Sequence, residues 1–129
     1  MAAMACGVLA ACQSEERPRV DVFRPDYRGL DASMLDVLDT GGLVRVRAEM
    51  GGARDDQDVA AYARCGAVAF GLDRGFGFAR HVATNVAERG GIWRADAVYS
   101  VSPDLPRGLR TLDAEVVVED CRTRGIPTV

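Results

Sequence analysis

The chain of 129 residues contains no lysine: all sixteen basic residues are arginines, set against nineteen acids for a net charge of −3. Alongside the richness in Ala, Gly and Val, this bias reads as genomic base composition and carries no function. The arginines are spread from Arg17 to Arg124, so no basic face forms and nucleic-acid binding is disfavoured. Histidine is almost absent as well. His81 is the single one, so any Ser/His/Asp or Cys/His arrangement must use it. Strand alternation gives it only Ala79 and Ala83 as same-face neighbours, and none of Ser14, Ser33, Ser100 and Ser102 sits in a Gly-x-Ser-x-Gly elbow. It reads as an ordinary strand histidine beside Arg80, with a catalytic pairing to Cys65 as the alternative. Zinc-ligand spacing and the calcium-loop pattern are missing, so no metal is expected, and Asp55, Asp56 and Asp58 read as a helix cap. No cofactor is expected either. Gly75-Phe76-Gly77-Phe78 follows a helix and opens a strand, the reverse of the order a nucleotide loop requires.

Apolar residues at 48% and charged residues at 27% are globular values, and the length suits one domain able to bury an ordinary core. The N-terminal run Met1–Ala11 is too short to span a bilayer, which takes about 20 residues. It ends instead at Leu9-Ala10-Ala11-Cys12, a small-residue cleavage site followed by cysteine. Residues 1–11 are thus expected to be a lipoprotein signal peptide, the alternative being an apolar N-terminal helix. The run carries no charge, whereas an export signal opens on a basic segment, so the start looks clipped: either the true initiation codon lies upstream or the sequence is truncated. Residues 12–19 give the acylated Cys12 and a polar, Pro18-interrupted tether, and residues 20–129 a single domain.

With Cys6 removed and Cys12 acylated, Cys65 and Cys121 remain as an even pair. A bridge between them would contribute about 4 kcal/mol on the chain-entropy model; the alternative is two buried thiols.

Within the domain, Val20–Phe23 gives at most a short edge strand before Pro25. Met34–Leu38 and Leu43–Met50 read as a hairpin across Asp39-Thr40-Gly41-Gly42, although a helix can also be drawn through Ser33–Leu38. One helix is expected over residues 56–74, opened by the acids at 55–58 and closed by Gly75, with Val59, Tyr62, Ala63, Gly66, Ala67 and Phe70 as its buried stripe. A third strand follows over Phe76–Val86, with Phe76, Phe78, Val82, Thr84 and Val86 on one face. A fourth over Trp93–Val101 follows the Glu88-Arg89-Gly90-Gly91 turn. Leu112, Ala114, Val116 and Val118 alternate as a last strand, and Cys121–Val129 reads as an irregular tail. Strict alternation turns Cys121 away from Val116 and Val118, so a bridge to the helix requires the strand to end or bulge first. The fold class is α+β, one helix packed on an antiparallel sheet of four or five strands. Tyr27, Trp93 and Tyr99 could line a ligand groove if a sheet face is uncovered; core packing is the default for Trp93 and Tyr99.

The lipobox, the short tether, the hairpin, the helix with Tyr62-Ala63-Arg64-Cys65 and the following Gly75-Phe76-Gly77-Phe78 together resemble small uncharacterised cell-envelope lipoproteins of proteobacteria. The likeness spans most of the chain loosely, and its specific motif is the lipobox. It implies acylation of Cys12, stable anchoring through more than one chain, and a domain facing the periplasm. Gln13 after Cys12 points, by the enteric sorting rule, to the outer membrane. The function expected is a non-enzymatic accessory or interaction role with an envelope protein partner. The alternatives are a periplasmic small-ligand-binding module or a small enzyme using His81.

Overall fold

The computed structural model describes residues 23–38, 40–108 and 110–128. Residues 1–22, which hold the expected signal run, Cys12, the expected tether and Val20–Val22, lie outside the described residues. The fold is α+β: a five-stranded antiparallel sheet with two helices. Its elements are β1 (Asp26–Leu38), β2 (Gly41–Gly51), α1 (Asp56–Asp73), β3 (Phe78–Arg89), β4 (Ile92–Ser102), β5 (Leu112–Asp113) and α2 (Ala114–Thr123). The spatial order of the strands is β1-β2-β4-β3-β5.

The two central strands supply the floor of the core. Val44, Val46, Ala48 and Met50 of β2 stand opposite Tyr99, Ala97, Ala95 and Trp93 of β4, and all but the half-buried Trp93 are buried. α1 lies across them. Asp55 caps its start by accepting from the Gln57 amide at 2.9 Å. At its end, the Gly75 and Phe76 amides return to the Leu72 and Gly71 carbonyls, with Gly75 at φ 92°. The expected stripe is buried in full, and its small residues let the helix come close. A methyl group on Gly66 would stand 2.4 Å from Leu30 Cδ1.

Three expectations are corrected. Residues 112–118 are not a strand: only Leu112 and Asp113 pair with β3, and the chain then turns into α2. The Asp113 carboxylate accepts from the Glu115 and Val116 amides at 3.1 and 3.3 Å, which is an N-cap. Ala114, Val117, Val118 and Cys121 then recur at helical spacing on the packed side, while Val116 is exposed. The tail accordingly starts later than Cys121, and Ile126 is buried behind a second glycine-based cap in which its amide returns to the Cys121 carbonyl at 2.9 Å. Finally, β3 does not alternate strictly. Val82 is an extra residue between His81, opposite Tyr99, and Ala83, opposite Val98. Ala79 and His81 therefore face α1 before the bulge and Thr84 and Val86 after it, whereas Phe78 pairs with Ser102 on the other face and Val82 is exposed.

The first strand is longer than its hairpin arm suggested, and residues 33–38 are extended rather than helical. Irregularities at Arg28 and Leu35 break its pairing with β2, so Tyr27 and Leu30 reach the core side together although they are three positions apart.

Candidate functional site

A cleft of about 880 Å³ opens between the first half of α1, the bulged part of β3 and the corner leading through β5 into α2. His81, Thr84 and Tyr99 come from the sheet, Arg64 from α1, and Arg110 and Leu112 from the corner. The bulge makes the sheet part possible. By bringing His81 and Thr84 to one face it sets His81 Nε2 2.7 Å from Thr84 Oγ1. The imidazole stands edge-on to Tyr99, with ring centroids 5.2 Å apart. Burial pushes the Tyr99 phenol up to about 12, and the charge of Arg64 pulls in the opposite direction.

The outer lip of the cleft is self-contained. Asp58 accepts from the backbone amide, Nε and Nη2 of Arg54 at 2.7, 3.0 and 2.8 Å, which holds its carboxyl below the usual range. The guanidinium of Arg54 also covers the Phe23 ring at 3.9 Å. Asp55 is engaged as the helix cap, and Arg124 pairs with Asp120 at 3.4 Å. The inner end is different. Arg64 is half-buried, and its enclosed Nε has no hydrogen-bond partner among the described residues. The Thr111 hydroxyl and the Arg80 Nε are likewise buried and unpartnered among the described residues, but neither residue lines the cleft.

A second concavity of about 640 Å³ lies on the sheet face turned away from α1, where Arg47, Glu49, Arg94 and Asp96 project. Its charges satisfy one another. Arg45 grips Asp96 through Nε at 2.9 Å and Nη2 at 2.5 Å, Arg47 lies 3.7 Å from the same carboxylate, and Arg94 donates to Glu49 at 3.0 Å. The Arg45 bond keeps the Asp96 carboxyl below its ordinary value.

Cys65 and Cys121 are brought together: their Cα atoms are 6.0 Å apart, the sulfurs are joined at 2.03 Å, and both residues are fully buried between α1 and α2. The helical course of residues 114–123 removes the conflict that alternation raised for Cys121. With its sulfur in the bridge, Cys65 offers no thiol to His81. Trp93 and Tyr99 share a face of β4 but are six residues apart, about 20 Å along a strand. Tyr99 lines the cleft and Trp93 does not. Cys12 lies outside the described residues. Arg64, Thr84 and Arg110 were not singled out from the sequence: alternation placed Thr84 opposite His81, and nothing local marks one arginine among sixteen. Among the described residues no helix is long and apolar enough to cross a membrane.

The fold and its bridged helices define a small disulfide-linked α+β domain. Residues 27–125 match the family model of the YNQ4 C-terminal domain, and the chain belongs to that family. It is 30% identical over 128 residues to a protein of Paracoccus denitrificans described as an uncharacterized 26.9 kDa protein in the nqo8 5′ region. The alignment covers 92% of this chain and 50% of that protein, so the chain spans about half the length of the curated relative it matches. No solved structure matches the chain.

Proposed function

We propose that this is an exported lipoprotein, cleaved after Ala11 and acylated on Cys12, whose domain works at the periplasmic face of an envelope membrane as a non-enzymatic accessory or protein-interaction module. The observation that carries the reading is the Cys65–Cys121 bridge. It is buried and closes a long loop, and such bridges belong to oxidising compartments, where an exported chain would fold. The lipobox and the polar residues 13–19 fit the same reading: an acylated cysteine followed by a spacer that stands the domain off the lipid surface. Gln13 favours the outer membrane.

The interaction role is supported by β1. It is an edge strand of 13 residues, and it exposes Leu35 and Val37 near its end. An open edge with apolar side chains invites pairing with another protein. A second reading, a periplasmic small-ligand-binding module, is favoured by the cleft on Tyr99 and His81. Fractionation of the native host tests the anchor: the wild-type chain should sediment with membranes, and Cys12→Ala should lose the lipid-dependent part of that association. Identical partitioning of both chains would remove the proposal.

A further inference from the structure

We infer that the part of the cleft lined by Arg64, Arg110, Thr84 and Tyr99 is a binding site for an oxyanion, a phosphate or carboxylate group carried by a small ligand. The inference goes beyond the anchor reading and stands whether or not Cys12 is acylated.

The cleft holds an imbalance that the chain does not resolve by itself. Its acids are concentrated at the start of α1, where Asp58 is bound by Arg54, Asp55 caps the helix and Asp56 lies in the first turn. One helical turn and more further on, Arg64 enters the cleft with no ion pair and with its enclosed Nε–H unpartnered among the described residues. That enclosed Nε is out of a ligand's reach, so a ligand in the cleft would meet Arg64 through the Nη groups at the end of its guanidinium. Arg110 lines the same cleft from the β5 corner and has no ion pair among the described residues. It is held at φ 65°, a left-handed backbone that L side chains rarely adopt. Strain of that kind persists where the surroundings impose it, and it concentrates at ligand clamps.

The remaining wall suits an anion. Thr84 and His81 are paired, so whichever of them donates within the pair, the other retains a hydrogen-bonding position for a ligand. Tyr99 stays a neutral phenol far above physiological pH and can donate without adding negative charge. Two guanidiniums and the polar groups of Tyr99 and the His81–Thr84 pair, lining one cleft, match the planar or tetrahedral oxygens of a carboxylate or phosphate. The opposite sheet face is also rich in arginine, but Arg45 and Arg94 are already engaged by Asp96 and Glu49.

The test is titration of the purified full chain, followed by amide and arginine Nε–H resonances. Inorganic phosphate and succinate serve as separate probes, so that phosphate and carboxylate recognition are told apart. Saturable shifts at Arg64, Thr84 and Tyr99 with either probe at millimolar concentration are expected. Arg64→Ala should weaken binding about tenfold or more, the worth of a charge-assisted hydrogen bond. Arg110→Gly should weaken it too; glycine adopts this backbone conformation without strain, and unchanged amide resonances away from the cleft check that the fold is kept. Arg94→Ala, on the opposite face, should bind as wild type. The inference is overturned if neither probe produces saturable shifts, if the shifts map to the Arg94 face, or if Arg64→Ala and Arg110→Gly both bind as tightly as wild type.

Discussion

Thr84 Oγ1 lies 2.7 Å from His81 Nε2, and the two meet because Val82 is an extra residue in β3. Replacing Thr84 by Val should leave the fold intact and alter stability by no more than about 1 kcal/mol, the net worth of an exposed hydrogen bond. The imidazole nitrogen resonances of His81 should shift at the same time. Unchanged resonances would show that the pair does not form in solution.

Gly66 and Leu30 set the distance between α1 and the sheet. Gly66→Ala raises helix propensity by about 1 kcal/mol but drives a methyl group into the Leu30 side chain. The net result should be destabilisation, since overpacking costs about 1–3 kcal/mol. The clash is specific, so Leu30→Ala combined with Gly66→Ala should lose less stability than the two single changes added. Additive losses, measured by urea unfolding, would show that the helix shifts instead.

The bridge between Cys65 and Cys121 should be visible as two unreactive thiols when the unreduced protein is denatured. Reduction, or a Cys121→Ser change, should cost about 4 kcal/mol for a loop closed across a separation of 56 residues. Two titratable thiols in protein isolated from the native host would contradict the bridge.

Stability should fall at both ends of the pH scale for identifiable reasons. Asp58 and Asp96 have carboxyls lowered from 3.8 by Arg54 and Arg45, so their contribution is complete above that value and is lost as pH falls through the folded-state values. Asp96→Asn should shrink the acid loss. Tyr99 is raised from 10.0 to about 12, so its contribution is complete below pH 10 and is lost as pH rises toward 12. Tyr99→Phe should flatten that alkaline limb; an unchanged limb would show that the phenol is not desolvated.

The parts of the fold that were legible in the sequence are those whose signals are local and agree with one another. α1 combines acids at its start, a periodic stripe and Gly75 at its end, and it runs within one residue of its expected bounds. The central strands β2 and β4 alternate cleanly because one face is buried and the other carries an ion-pair lattice. Failure came where two periods overlap. Val116-Val117-Val118 has β-branched residues that suggest a strand, yet Ala114, Val117, Val118 and Cys121 fit a helix equally well, and the Asp113 cap decides it. Failure came also where a single residue shifts the parity of a strand. Arg28 and Leu35 in β1 and Val82 in β3 interrupt the pairing, and no composition marks them. The cleft depended on one of these bulges and on an arginine brought in by α2's corner, so it was legible only in its Tyr99 and His81.

Mass spectrometry of the mature amino terminus, on protein taken from membranes of the native host, tests the proposed function most directly. The expected result is a chain that begins at Cys12 and carries acyl chains on it. A chain with an intact, unmodified segment through Ala11 and an unacylated Cys12 would contradict it.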